Sequence, residues 1–209
     1  MQINTLRLRS IIGWLGMLLP WIVLAQCLYF GYGVPNSISA TYYKDPTITP
    51  FMIILGSAAF LLISYKGYEL IDDIVCTLAG LFALGICLFP CASTSLSLVG
   101  TFQIPRAVSG GIHNACAIAF FCLLAFNSFF LFTKGDSIDN KKKKIRNIIY
   151  RVCGIGMAAS FLLLIPFKIF SVSSGIWIVE AIALMFFGVS WLTKADIYPF
   201  LFCDTPFKD

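Results

Sequence analysis

An all-α, polytopic membrane fold with six transmembrane helices and both termini cytoplasmic is what this sequence predicts, on three observations. Charged residues make up 12% of the 209 and hydrophobic ones 59%, whereas soluble domains carry about 25% charged residues. Six apolar runs each come close to the roughly 20 residues that cross a hydrocarbon core of about 30 Å. The basic residues collect on one side of those runs. A mean hydropathy of +0.88, with 20 Phe and 4 Trp, names lipid as the solvent. The same composition argues against a soluble enzyme, a disordered chain or a nucleic-acid-binding domain.

The runs fall at about 11–32, 49–65, 74–91, 111–132, 145–170 and 174–192 and form one domain over 1–209. The first follows Arg7 and Arg9 and ends in Leu24-Ala25-Gln26-Cys27, which has the outline of a lipoprotein cleavage box. Gln26 stands where that box needs a small residue, and the apolar run continues past Cys27, so a retained helix is expected. The second is the shortest. Pro20 and Pro166 sit inside apolar runs, where proline in lipid reads as a kink and not an end.

Orientation follows from the positive-inside rule. With the N-terminus inside, every Lys and Arg except Lys44, Arg106 and Lys168 lies on the cytoplasmic side, and an odd number of spans would break that alternation. Lys168 is expected to snorkel to headgroups. Lys141, Lys142, Lys143, Lys144 and Arg146 crowd the fourth connection. They meet the positive-inside requirement and are also candidates for anionic lipid headgroups.

Two outer loops, 33–48 and 92–110, are long enough to build a site. Glu180 lies about six positions inside the sixth run from its outer end, about 9 Å deep at 1.5 Å per residue. A carboxylate at that depth is disfavoured by a few kcal/mol, so it should face the bundle or a wet cavity, paired or protonated. The single histidine, His113, begins the fourth run on the same outer side, with Asn114 beside it. Together with Ser37, Ser39, Tyr42 and Tyr43 of the first loop and Arg106 of the second, they form a candidate polar, outward-facing pocket. The leading expectation is a binding or transport-type protein whose ligand is a lipid headgroup, a small amphiphile or protons. Hydroxyl, imidazole and carboxylate also formally supply a hydrolase triad using Ser37 or Ser39, although no nucleophile elbow is present. An oligomeric channel with Glu180 lining the pore is a third reading. The alternative for Glu180 and His113 alike is a structural hydrogen bond between helices.

No metal and no cofactor are expected: one histidine cannot build a three-histidine zinc site, and no C-x-x-C pair occurs among the eight cysteines. Cys27, Cys87 and Cys91 lie toward the outer side, where one disulfide could form. Asp72 and Asp73 open the third run, where carboxylates cap free N–H groups; with Lys66 and Tyr68 they could instead hold a cation or headgroup. Small residues spaced by four (Ala79, Ala83 and Cys87; Gly154 and Ala158; Gly156 and Ser160) form packing seams, within one bundle or between copies in a homo-oligomer. Trp14, Trp177 and Trp191 fall near the interfaces, as belt aromatics do. No repeat relates the first three runs to the last three, so an inverted-repeat transporter finds no support.

The chain resembles a group of uncharacterised bacterial six-helix membrane proteins, a domain of unknown function. The resemblance rests on the 37–43 loop (Ser-Ile-Ser-Ala-Thr-Tyr-Tyr), Tyr65-Lys66-Gly67-Tyr68 followed by Asp72-Asp73, and His113 with Ala117, Phe120 and Phe121. It extends to 147–154 (Asn-Ile-Ile-Tyr-Arg-Val-Cys-Gly), Glu180-Ala181 and 188–192 (Gly-Val-Ser-Trp-Leu). More distantly the layout looks like the eukaryotic Frag/DRAM/Sfk six-helix group. The closer resemblance implies a bacterial setting, in which the apolar runs predict the cytoplasmic membrane with membrane lipids as partners; the basic run of 141–146, without interleaved aromatics, gives no sign of nucleic acid. It also implies that the 37–43 loop, His113 and Glu180 belong to one shared pattern, and it carries no reaction.

Overall fold

The structure, a computed structural model, describes residues 2–134 and 141–198, with the side chains of 2–4 and 141 outside the description. α1 (Gln2–Tyr29) leads through a single 3-10 turn (Ser39–Tyr43) to α2 (Ile48–Ser64) and α3 (Leu70–Leu88). A two-residue hairpin, β1 (Leu98–Val99) paired antiparallel with β2 (Ile104–Pro105), precedes α4 (Arg106–Phe126), which runs on into a π-helical turn (Asn127–Leu131). α5 (Lys141–Ser160), a 3-10 turn (Phe161–Leu163) and α6 (Leu164–Ile169) follow, and α7 (Gly175–Lys194) closes the bundle.

The described chain is all-helical apart from the small hairpin. Five helical stretches are long and apolar enough to cross a membrane, with α5 and α6 acting as one; α2 is apolar but has 17 residues. Each helix packs on its neighbours in sequence, α1 on α2, α2 on α3, α3 on α4 and α4 on α5. α7 then sits between α5 and α1 and completes a ring. It is also the most enclosed helix: 61% of its apolar window is buried, against 28% for the α5–α6 stretch. Side chains such as Ile12, Val23, Leu62, Leu124, Val179 and Phe187 fill the interior.

α1 starts at Gln2, well before the expected position 11, because Arg7 and Arg9 are helical and Arg9 is buried. The two prolines behave differently. α1 continues unbroken through Pro20, whose ring faces the carbonyl of residue i−4, here Gly16. Before Pro166 the i−4 residue is Leu162, and there the helix tightens into the 3-10 turn of 161–163.

Close helix contact depends on glycine at two seams. A Cβ on Gly80 would sit 2.5 Å from the Ala59 carbonyl oxygen, and one on Gly188 would sit 3.0 Å from that of Gly13. The expected small-residue seams lie largely inside the monomer: Ala79, Ala83 and Cys87 are buried, Gly154 abuts α4 and Gly156 abuts Phe186 of α7. Of the expected belt tryptophans only Trp14 is exposed. Trp191 is buried, edge-on to Tyr65 at 5.1 Å and to Phe132 at 5.2 Å, so packing and not the interface sets its place.

Candidate functional site

The loop after α1 turns back through Gly31 and Gly33, both with positive φ (76° and 69°), a region that glycine enters without strain. It then ties itself into a compact plug. The Ser37 hydroxyl accepts the Ala40 N–H at 2.9 Å, Thr41 Oγ1 donates to the Ile38 carbonyl at 2.6 Å, and Thr47 Oγ1 donates to the Thr41 carbonyl at 3.0 Å. Residues 37–41 are buried as a result.

Two bonds pin this plug to α7. The Trp177 N–H donates to the Asn36 carbonyl at 3.0 Å, and the Ile38 N–H donates to Glu180 Oε2 at 2.6 Å. Tyr43 Oη donates to the Cys91 carbonyl at 2.6 Å, which joins the plug to the second loop. Burial, followed by the electron-rich neighbours Cys91 and Tyr42, pushes the Tyr43 phenol up to about 12. Tyr42 packs edge-on against Tyr43 at 5.2 Å.

Glu180 therefore sits under the plug, and the surface it keeps opens onto a cavity of about 30 Å³. Ile38, Ser39, Leu19, Phe120 and Leu184 line this space with it. A single water needs roughly 10–15 Å³ and at least two polar partners. The volume thus suits one or two waters or a group of that size, and Glu180 and Ser39 supply the polar contacts. A smaller cavity of about 10 Å³ lies against it, shares Leu19, Leu55, Phe120 and Leu184, and reaches Leu62 and Phe187. One charge-assisted hydrogen bond contributes about 1.5–3 kcal/mol, comparable to the roughly 2.5–3.5 kcal/mol insertion cost of a mid-membrane carboxylate. The Ile38 amide alone can therefore hold Glu180 where it is.

His113 stands in a different place. Its Nδ1 is 2.8 Å from the Phe89 carbonyl, and one turn earlier Ser109 Oγ donates to the Pro90 carbonyl at 2.8 Å. Carbonyls at and beyond a helix C-terminus lack helical partners, and these two α4 side chains satisfy them at the end of α3. His113 is not among the residues lining the Glu180 cavity. Asn114 is exposed on α4. Arg106, also exposed, donates its guanidinium to the Thr94 carbonyl and its backbone N–H to that of Ser97 at 2.9 Å, which ties down the second loop. The site candidates thus divide: Ser39 joins Glu180, Ser37 and Tyr43 build the plug, and His113 and Arg106 fasten neighbouring backbone.

A second polar centre, at the end of the bundle that holds both termini of the ring, was not among the candidates. Arg9 donates Nε to Tyr65 Oη at 3.1 Å and Nη1 to the Lys194 carbonyl at 3.3 Å, and its guanidinium lies 5.6 Å and 5.8 Å from the Tyr65 and Tyr68 ring centres. Lys194 Nζ donates to the Phe132 carbonyl at 3.2 Å and lies 5.1–5.7 Å from the rings of Tyr68, Phe132 and Tyr150. The hydropathy pattern marks both cations only as flanking charges, and the aromatic rings beside them come from three distant segments.

Asp72 and Asp73 cap α3. Asp72 Oδ2 accepts the N–H groups of Tyr68 (2.9 Å) and Glu69 (3.0 Å), and Asp73 accepts Gly67 N–H (2.8 Å) and Lys66 Nζ (3.0 Å). Glu69 pairs with Lys134 at 2.7 Å, which holds that ammonium above its usual range. Among the headgroup candidates, Lys142, Lys143 and Arg146 are half-buried and Lys144 is exposed on the first turns of α5, while the side chain of Lys141 lies outside the described residues. No group of three potential metal ligands occurs among the described residues, and the seven described cysteines, including Cys27, Cys87 and Cys91, are free thiols. No family model, curated protein or solved structure matches the chain.

Proposed function

We propose that the chain is a six-span protein of the bacterial cytoplasmic membrane, with both termini inside, and that it binds a small ligand at Glu180 in an outward-facing cavity under the first loop. The ligand class is a proton, or a donor or cationic group of about the size of a water molecule. α2, at 17 residues, is about 25 Å long, which supports a sixth crossing with slight local thinning of the bilayer. The positive-inside distribution supports the orientation. The likeness to bacterial six-helix proteins supports the setting and is itself part of the proposal.

One observation carries the ligand reading. Glu180 is an acid within an apolar helix long enough to span, and it lines a small cavity; intramembrane acids are functional by default. The hydrogen bonds within the plug support a fixed wall for that cavity on the side of Ile38 and Ser39. The hydrolase reading gains nothing from this geometry, because Ser37 and His113 are each committed to backbone partners.

The test is thermal unfolding in detergent from about pH 4 to 9, where a group with different protonation in the folded and unfolded states makes stability depend on pH. Wild type should show a pH-dependent Tm with a component that Glu180→Gln removes, while His113→Ala lowers Tm and leaves that Glu180-dependent component in place. Superimposable pH profiles for wild type and Glu180→Gln overturn the proposal.

A further inference from the structure

The lining of the cavity under the first loop is mixed, and the mixture narrows its ligand. Glu180 and Ser39 are the lining residues with polar side chains; the rest of the lining is apolar and includes Phe51, Phe120 and Phe121. Ser39 is only 8% exposed. The plug's own side-chain bonds are made by Ser37, Thr41 and Thr47 and do not use Ser39 Oγ. A carboxylate has about four lone-pair sites, and the Ile38 N–H takes one of them at Oε2. The Ser39 hydroxyl and the rest of the Glu180 carboxylate thus meet in one volume of about 30 Å³.

Charge and volume together select the occupant. A bound proton neutralises the acid but leaves the space unfilled, and unfilled space forfeits the dispersion contacts of its lining. A water fills the space but leaves a net negative charge among apolar side chains, which is costly until it is paired. A small cation does both.

The chemistry of the lining then favours one kind of cation. Calcium and magnesium take about six or more oxygens, whereas the side chains here supply those of Glu180 and Ser39. An ammonium ion has the dimensions of a water molecule and needs fewer oxygens. Its N–H groups donate to the carboxylate and the hydroxyl, and the face of a phenyl ring attracts a desolvated cation within about 6 Å.

We infer that the Glu180 cavity is a binding site for one ammonium ion, held between the Glu180 carboxylate and the Ser39 hydroxyl in a lining that includes phenylalanine rings. The inference rests on the ligand-binding reading of Glu180 proposed above and names its ligand.

Purified protein in maltoside detergent is heated at about pH 7 in ammonium chloride, sodium chloride or tetramethylammonium chloride at equal ionic strength. A ligand of the folded state raises Tm with its concentration. Wild type should gain about 2 °C or more in ammonium over sodium, and the gain should saturate. Tetramethylammonium, which is too large for the cavity and has no N–H, should act like sodium. Glu180→Gln should remove the gain. Ser39→Ala should weaken the ammonium response by about threefold or more, and it serves if Glu180→Gln loses its helical signal. An equal gain in sodium or tetramethylammonium overturns the inference, as does a gain that folded Glu180→Gln or Ser39→Ala keeps in full. No ammonium gain, with the Glu180-dependent component of the pH profile still present, overturns the inference and leaves the proposed function standing. Absence of that component as well overturns both.

Discussion

At the loop end a single carboxylate, Glu180, meets one backbone N–H and a small cavity, whereas at the other end Arg9, Lys194 and Asp72 are enclosed by rings, carbonyls and amides. Both arrangements keep charge inside an apolar bundle, and they use different means. The Arg9 and Lys194 charges meet rings from three segments, with aromatic faces supplying cation–π attraction worth about 0.5–2 kcal/mol each. Glu180 has one strong bond and free surface. The difference separates charge committed to structure from charge that the proposed function makes available to a ligand.

Replacing Arg9 tests the structural side and should have the largest effect. Arg9→Ala removes bonds to Tyr65 and to the Lys194 carbonyl and leaves both unpaired in a buried setting, a loss of about 3 kcal/mol. The expected outcome is a Tm lower by several degrees with an unchanged difference between the pH profiles of wild type and Glu180→Gln. An Arg9→Ala protein as stable as wild type would remove the structural reading of that end.

Glu180→Leu probes the other side with a smaller stability effect. It strands the Ile38 N–H, and an unpaired buried donor costs about 1–3 kcal/mol, partly offset by the leucine filling the cavity. Hydrogen exchange should report the change: amides of 36–43 exchange faster, while those of α3 and α4 do not. Faster exchange throughout the bundle would mean that Glu180 holds helices together and not the plug.

The fold was largely legible because lipid imposes one rule, a long apolar run with charges at its ends, and this chain follows it at five of six runs. Glu180 was legible for the same reason, as an acid inside such a run. The role of His113 was not, because its partner is a carbonyl 24 positions away in sequence and carbonyls carry no sequence signature. The Arg9 centre was hidden more deeply. Arg9 and Lys194 sit at run ends where any basic residue satisfies the orientation rule, so pattern gives no sign that one is buried. Tyr65, Phe132 and Tyr150 carry no pattern that marks them as partners of a cation, and Tyr68 stands out only beside Lys66, Asp72 and Asp73, until the ring of helices brings the four rings together.

Tyr43 offers the finest distinction, because it belongs to the plug without touching the cavity. Its phenol donates to the Cys91 carbonyl, and its folded pKa of about 12 stands above the ordinary 10.0 because burial disfavours the phenolate. A raised folded value means that the folded state holds the proton more tightly. The associated stability is complete below about pH 10 and is lost as pH rises toward 12. Tyr43→Phe should therefore cost about 1 kcal/mol at neutral pH through the lost hydrogen bond, and the variant should lose less stability than wild type between pH 10 and 12. Its response between about pH 4 and 9 should match wild type, because no group near Glu180 has changed. If Tyr43→Phe instead removes the component of that acid-to-neutral response that Glu180→Gln is expected to remove, the plug and the carboxylate act as one unit. The ligand would then be sensed through the second loop as well.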